Sequence, residues 1–177
     1  MNFRTISLPG HKALQVPQGI QRIDSKSTHG WQVRYAGTKF FSDGPAANPR
    51  DSLQRATKEL LTRMATTPAP VPLRQKASPR KHSALPVGIF GPIVRYRPGR
   101  AAVAELSVLL PRVGSSPKIK NIYIGSENTY TIERYQAALA KGLALRAQAT
   151  EQYERDAAKA QRQSVKQLRT YLQALQA

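Results

Sequence analysis

Arginine and glutamine side chains that can bind nucleic acid recur at alternate positions in the first third of the sequence. Arg22 lies in the alternating run 19–23, and Gln32 and Arg34 lie two residues apart in the run 31–35. Arginine can hydrogen-bond the edge of a guanine or a phosphate, and glutamine the edge of an adenine. Because alternate side chains of a β-strand point to one face, we expect these three residues to share a polar, basic face of a small sheet.

Groupings of residues that could perform catalysis are missing from the sequence. The three histidines, His11, His29 and His82, are far apart and fall in predicted turns or tails, without a nearby pair of carboxylates. The 10 acidic residues include no close pair outside the last helix, which argues against a two-metal nuclease site. There is no glycine-rich phosphate loop and no cysteine to bind a metal. We therefore expect no enzyme activity, no cofactor and no metal site.

The charge of the chain indicates its partner. Lys and Arg number 28 against 10 Asp and Glu, which gives a formal net charge of +18 and a pI near 10.9. Such an imbalance favours a polyanion, and we expect double-stranded DNA. No apolar run approaches the roughly 20 residues that a membrane helix needs. We expect no membrane contact and a cytoplasmic, nucleoid-associated location.

Residues 19–64 have the pattern of a three-stranded antiparallel sheet covered by one helix. Three short runs, 19–23, 31–35 and 38–41, are rich in aromatic and β-branched residues and are separated by turn residues. Asn48 then offers an N-cap, and apolar residues follow it at helical spacing. These apolar residues are Leu53, Ala56, Leu60, Leu61 and Met64.

The helix would cover one face of this sheet and leave the other face free. By alternation, Trp31, Val33 and Tyr35 point together toward the helix, so Trp31 is expected in the core rather than against a base. Phe40 and Phe41 are adjacent and must point to opposite faces. One of them is therefore a candidate for a base or sugar contact.

The order of these motifs resembles the AP2/ERF DNA-binding domain, in the form carried by bacteria, phages and mobile elements. The resemblance rests on GWQVR at 30–34, on KFFSD at 39–43 and on the amphipathic helix after them. In that family a three-stranded sheet lies in the DNA major groove, and its free face contacts bases and phosphates. The resemblance implies contacts to bases or backbone for Arg22, Gln32, Arg34 and Phe40, and to phosphates for Lys26 and Lys39.

Residues 1–18 are predicted to be an extended lead-in, because their composition is mixed and two prolines interrupt them. They would either add an edge strand through Phe3 and Ile6 or lie along DNA through Arg4 and Lys12. The sequence leaves both alternatives open.

Residues 65–86 have the composition of a basic linker, with five prolines and no acidic residue. Proline density of this kind favours an extended, semi-rigid tether. Arg80 and Lys81 follow a Ser-Pro pair, in a motif similar to the basic repeats of histone tails. We expect loose phosphate contacts at these two residues.

Residues 87–146 repeat the order of elements of residues 19–64, which predicts a second AP2-like domain. A first strand, a basic turn over 94–100, a strand within 101–110 and a strand at 121–125 precede a helix. The candidate DNA contacts of this domain are Arg95, Arg97, Arg100, Arg112, Lys118, Lys120, Asn121 and Tyr123. Because most of these arginines would lie in turns, we expect this copy to grip the backbone more than it reads bases.

The end of the chain is predicted to be one long helix, since residues 131–176 contain no proline and a single glycine, Gly142. Four apolar residues near its end follow a 3-4-3 spacing, namely Val165, Leu168, Leu172 and Leu175. Such a seam in the helical extension 147–177 would either pair with a second copy, as a homodimer, or fold back on the chain's own surface.

Taken together, these patterns predict an α+β fold, with two small three-stranded antiparallel sheets, each backed by one helix, and a long C-terminal helix. The predicted function is a double-stranded DNA-binding protein, a sequence-specific transcriptional regulator that reads the major groove with its β-sheets. One alternative is an architectural protein of the nucleoid type that coats or bridges DNA with little sequence preference. Another is a basic RNA-binding or ribosome-associated protein.

Overall fold

The chain folds into two compact units that share the C-terminal helix. A computed structural model describes residues 1–45, 48–69, 73, 76, 79 and 83–176. The first unit comprises Met1–Ala69 and Ala158–Ala177, and the second comprises Pro70–Ala157. The predicted α+β class is confirmed, because each unit has a three-stranded antiparallel sheet with a helix packed on one side.

The first unit contains a two-stranded hairpin, a three-stranded sheet of order β3-β4-β5 and a helix. In chain order the elements are β1 (Phe3–Ile6), β2 (Leu14–Pro17), β3 (Ile20–Asp24), β4 (His29–Arg34), β5 (Thr38–Ser42) and α1 (Pro49–Thr66). The three predicted strands and the predicted helix are therefore present, with ends that shift by a few residues.

The hairpin β1–β2 was not predicted as such. Phe3 pairs with Pro17 and Ile6 pairs with Leu14. Phe3 and Ile6 thus lie in a strand, as one of the two alternatives proposed, but this strand belongs to a hairpin of its own and is not an edge of the three-stranded sheet.

The core of the first unit lies between the sheet and α1. Trp31 and Val33 of β4 are fully buried against Leu53 and Leu60 of α1. The indole Nε1 of Trp31 donates a hydrogen bond of 2.8 Å to the carbonyl oxygen of Pro49. The prediction that Trp31 belongs to the core is confirmed, and the opposite face of the sheet is left uncovered by α1.

Helix α1 begins where the sequence indicated. The side chain of Asn48 accepts hydrogen bonds from the backbone N–H groups of Arg50, at 3.0 Å, and Asp51, at 3.4 Å. These bonds satisfy two of the donors that a helix start leaves open, and Pro49 in the first turn has no N–H to satisfy. The cap fixes the start of α1 at Pro49, and residues 43–48 separate it from the end of β5.

The second unit has a sheet of order β6-β7-β8, followed by the long helix. The elements are β6 (Ile89–Arg97), β7 (Arg100–Leu110), β8 (Lys118–Ser126) and α2 (Ile132–Gln176). Its core is formed by apolar residues of the sheet and by Ala138 of α2, which are all buried. The buried residues of the sheet are Ile89, Ala104, Leu106, Val108, Ile122 and Ile124.

The predicted long helix is present as the 45 residues of α2. Near its end, Leu168 is fully buried in the core of the first unit, and Val165 packs against that core. This is the second of the two alternatives for the apolar seam, in which it folds back on the chain's own surface. The homodimer stays a prediction. Neither α1 nor α2, the helices of the described part of the chain, has a stretch long and apolar enough to cross a membrane.

Candidate nucleic-acid interface

The register of the first sheet defines the face that α1 leaves uncovered, here called the free face. Directly opposed residues of neighbouring strands point to the same side of a sheet. Gln32 lies opposite Gln21 on one side and Phe40 on the other, and Arg34 lies opposite Thr38. The free face consists of Gln21, Ile23, Gly30, Gln32, Arg34, Thr38, Phe40 and Ser42.

Gln32 and Arg34 form the polar centre of the free face. The Nε of Arg34 donates a hydrogen bond of 2.5 Å to the Oε1 of Gln32. Arg34 is exposed and has no carboxylate partner among the residues that the structure describes. Its remaining N–H donors are therefore available to a base edge or a phosphate, in an orientation that Gln32 helps to hold.

Phe40 lies beside this pair and is held by its approach to Gly30. Phe40 is 38% exposed. A Cβ atom placed on Gly30 would lie 2.7 Å from the Cζ of Phe40, so the ring crosses β4 at a position where only glycine leaves room. The ring is thus held in place and half-exposed, which suits an apolar contact with a thymine methyl group or a sugar.

The placement of Arg22 on the free face is wrong. Arg22 lies directly opposite Trp31, so its side chain points to the side that packs on α1. Its guanidinium carbon lies 5.1 Å from the centroid of the Trp31 ring. The guanidinium is 2.7 Å from a carboxylate oxygen of Asp43 and 2.8 Å from one of Asp24, and only 13% of the side chain is exposed. Arg22 is occupied by an ion-pair network within the protein.

The pKa shifts of Arg22 and its two carboxylate partners agree with a structural role for Arg22 in this ion-pair network. Burial on its own would raise the pKa of Asp43, but hydrogen bonds from Arg22 and Ser52 outweigh it and hold that pKa below its ordinary value. The pKa of Asp24 is lowered first by its hydrogen bond from Arg22 and further by the one with His29. Burial would lower the pKa of Arg22, yet its bonds to the two carboxylates raise it. At neutral pH all three groups are charged and paired.

The two lysines assigned to phosphate binding lie in different surroundings. Lys39 is opposite Val33, on the α1 side of the sheet, and its Nζ lies 2.9 Å from a carboxylate oxygen of Glu59 and 5.4 Å from the centroid of the Phe41 ring. Lys26 is exposed in the turn between β3 and β4. Lys26 therefore lies outside the sheet and has no ion-pair partner among the described residues, whereas Lys39 is paired on the α1 side.

The uncovered face of the second sheet differs from the free face in being partly apolar. It carries Phe90, Ile93, Arg95, Glu105, Ser107, Asn121 and Tyr123. Phe90 is 48% exposed and Tyr123 is 55% exposed. The Nε of Arg95 lies 3.0 Å from the Oε2 of Glu105, so this arginine is paired across the strands. Positive charge on this face is consequently low.

The prediction that the arginines near residue 97 lie in a turn is wrong. Arg95 and Arg97 belong to β6 and Arg100 begins β7, so the connection between the strands is only two residues long. The pairing of β6 with β7 shifts register between Phe90 and Ile93, which lets the strand continue past the proline between them. The turn that the sequence predicted is thus limited to Pro98 and Gly99.

The other candidates of the second unit are spread over several surfaces. Asn121 accepts a hydrogen bond of 2.8 Å from the Ser107 hydroxyl. Lys120 lies opposite Val108 and so points to the side that packs on α2, where it stays exposed. Lys118 is exposed at the start of β8, and Arg112 is exposed in the loop before it. Arg80 and Lys81 of the linker lie outside the described residues.

Sequence reasoning missed part of the free face. Gln21, Ile23 and Thr38 lie on it, and alternation within β3 alone could not have found the first two, because only the pairing of Ile20 with Val33 shows which face of β3 packs on α1. Among the described residues no group of His, Asp or Glu side chains could hold a metal ion. Comparisons with protein-family models, with curated proteins and with solved structures find no match to this chain.

Proposed function

We propose that the chain binds double-stranded DNA by laying the free face of its first sheet in the major groove, as a sequence-specific transcriptional regulator. The observation that carries this proposal is the pair of Gln32 and Arg34, joined by a hydrogen bond on an uncovered sheet face, with the arginine free of any carboxylate in the described part of the chain. Arginine with guanine is the commonest specific base contact, and glutamine can form two hydrogen bonds with the edge of an adenine.

The dimensions of the sheet support this mode of binding. Three strands about 4.8 Å apart span roughly 10 Å across the backbone. The major groove of B-DNA is about 12 Å wide, which admits a narrow β-structure. Phe40 on the neighbouring strand would add an apolar contact beside the polar pair, and the AP2/ERF resemblance implies the same role for these residues.

Phosphate contacts would supply most of the affinity. The net charge of +18 creates a field that attracts a polyanion, and it supports the proposed location at the nucleoid. Lys26 borders the free face, and the exposed residues Arg97, Arg100, Arg112 and Lys118 surround the second sheet. Since Arg95 is neutralised by Glu105, the second unit would hold the backbone rather than read bases.

One observation favours the architectural alternative. Arg22 and Lys39 are both paired with carboxylates on the α1 side, so Arg34 is the one arginine or lysine that the free face itself carries. A face with one such cation gives less base discrimination than one with several. A protein of this kind would coat or bridge DNA largely through its charge.

Selection of binding sites from random duplexes, followed by affinity measurements on the selected and a scrambled duplex, tests the proposal. The chain should enrich one motif. Arg34→Ala should weaken binding to that motif by about 1–3 kcal/mol, or roughly 5- to 150-fold. It should also reduce the difference in affinity between the selected and the scrambled duplex. Lys58→Ala, which removes an exposed charge from α1, is the matched control and should leave the preference intact.

Each alternative has its own outcome in this experiment. Binding without any enriched motif would support the architectural protein. Preference for structured RNA over every duplex would support the RNA-binding alternative. If Arg34→Ala and Lys58→Ala changed the affinities for the two duplexes equally, base recognition by the free face would be refuted.

A further inference from the structure

The last part of α2 carries a stripe of four cations, here called the basic stripe, that the proposed interface does not use. The stripe consists of Lys159, Arg162, Lys166 and Arg169. All four side chains are exposed, and none has an ion-pair partner in the part of the chain that the structure describes. No acidic residue follows Asp156 in the sequence, so nothing on this segment of the helix offsets the charge.

Helix geometry places the basic stripe on one side of α2. The spacing of its members is 3-4-3, and at about 100° per residue they fall within an arc of about 80°. Leu168 lies about 100° to 180° away from each of them around the helix axis. Because Leu168 is fully buried in the core of the first unit, the basic stripe points outward from that unit.

The helix segment behind the basic stripe is fixed to the first unit. The side-chain nitrogen of Gln161 donates hydrogen bonds of 2.6 Å to the carbonyl oxygens of Met64 and Thr67 at the end of α1. The hydroxyl of Tyr171 donates to the carbonyl oxygen of Gln15 in β2. A charged surface held in place by such bonds loses less conformational entropy when it binds.

The basic stripe and the free face lie on opposite sides of the first sheet. Leu168 belongs to the same buried cluster as Val33 and Leu60, which lies on the α1 side of β3-β4-β5. The free face, with Gln32 and Arg34, is the other side of that sheet. One duplex in contact with the free face therefore leaves the basic stripe available to another polyanion.

We propose that the basic stripe binds the phosphate backbone of a second DNA duplex, so that the first unit bridges two duplexes. This inference rests on the proposed function for the first duplex. The four cations extend over about 15 Å of helix, and a B-DNA duplex carries one charge per about 1.7 Å of its axis, so each cation has a phosphate within reach.

An anionic membrane is the competing partner for a basic helix, and the packing of α2 argues against it. Binding at a bilayer surface requires an apolar helix face that enters the lipid. On this segment Leu168 is already buried and Val165 packs against the core. Membrane insertion would have to pull them out of the first unit, whereas a phosphate backbone needs only the exposed cations.

A capture experiment tests this proposal on the full chain. One duplex is fixed to beads, the chain is added, and a second, fluorescent duplex is captured from solution over a series of salt concentrations. The charge-neutral variant replaces the four cations by glutamine: Lys159→Gln, Arg162→Gln, Lys166→Gln and Arg169→Gln. The matched control changes the same positions but keeps their charge: Lys159→Arg, Arg162→Lys, Lys166→Arg and Arg169→Lys.

The neutral variant should still bind a single selected duplex with its sequence preference but should lose capture of the second. For the natural chain, log affinity for the second duplex should fall against log salt with a slope of about −3 to −4, since each of the four phosphate contacts contributes about −0.9. The charge-preserving control should capture as the natural chain does. Urea unfolding followed by the fluorescence of Trp31 verifies that all variants are equally folded.

Capture by the neutral variant equal to that of the control would overturn the proposal. The proposal would also be overturned if the natural chain bound phosphatidylserine vesicles more tightly than DNA and the neutral variant lost this vesicle binding. If Arg34→Ala leaves sequence preference unchanged while the neutral variant still loses capture, base recognition by the free face is refuted and DNA binding by the basic stripe is supported.

Discussion

Replacing Arg22 by methionine separates its structural role from a role in DNA binding. The guanidinium neutralises Asp43, whose side chain is only 5% exposed. Methionine keeps the apolar stem of the side chain and removes the charge, which leaves a buried carboxylate without its partner. We expect Arg22→Met to destabilise the first unit strongly, because an uncompensated buried charge is among the costliest defects that a substitution can produce.

The size of the effect follows from the burial of the pair. Breaking a buried ion pair by removing one partner costs about 3–5 kcal/mol. Because 13% of the Arg22 side chain is exposed and Ser52 still donates to Asp43, we expect a value near the lower end, about 3 kcal/mol. That loss is a large part of the roughly 5–15 kcal/mol by which such domains are stable.

Urea unfolding measures this loss directly. Trp31 is the one tryptophan of the chain and is fully buried in the first unit, so its fluorescence reports on that unit. In a double-mutant cycle, Asp43→Asn should cost about 2 kcal/mol less in the Arg22→Met background than in the natural chain, because the orphaned charge is then removed. Arg34→Met, an exposed control, should shift stability by no more than about 0.5 kcal/mol.

The opposite pattern would refute this reasoning. Arg22→Met would then unfold at the same urea concentration as the natural chain and lose duplex affinity as strongly as Arg34→Ala. Arg22 would in that case face the DNA, as the alternation of the sequence predicts, and the pairing of Arg22 with Trp31 between β3 and β4 would be incorrect.

Three further variants or conditions probe the same unit, each followed by Trp31 fluorescence. Gly30→Ala should destabilise by about 1–3 kcal/mol, because its Cβ would press on the Phe40 ring and on the backbone of β5; a neutral effect would show that the ring does not cross there. Leu168→Ala should cost about 2–5 kcal/mol through the cavity it leaves in the first core; no loss would indicate a seam free to dimerise. Below about pH 4 the free energy of unfolding should fall, since the pKa of Asp43 is lowered in the folded state and the unfolded chain therefore binds more protons there. Asp43→Asn should reduce this loss of stability at low pH. An unchanged loss would contradict a lowered pKa of Asp43.

Local signals predicted most of the first unit. The short alternating runs, the Asn48 cap and the helical spacing of apolar residues act over a few residues each, so strands, helix and the burial of Trp31 follow from them. Alternation also grouped Gln32 with Arg34 on one face. These are the features for which neighbours in sequence decide the outcome.

Register and long-range packing account for what was missed. Alternation says which residues of one strand share a face, but the pairing with the next strand decides which face that is. In β3 both Ile20 and Ile23 are apolar on opposite faces, so only the pairing of Ile20 with Val33 places Arg22 on the α1 side. The burial of Leu168 likewise depends on contacts with residues more than a hundred positions earlier in the chain, which no local pattern encodes.

The central claim is that the free face enters the major groove, and protection of guanine N7 from methylation tests it most directly. N7 lies in the major groove and is one of the two acceptors that an arginine contacts on guanine. On the selected duplex the natural chain should protect at least one guanine, and Arg34→Ala should lose that protection under conditions where it still binds. Bound duplex with all its guanines accessible, or protection that persists in Arg34→Ala, would contradict the account.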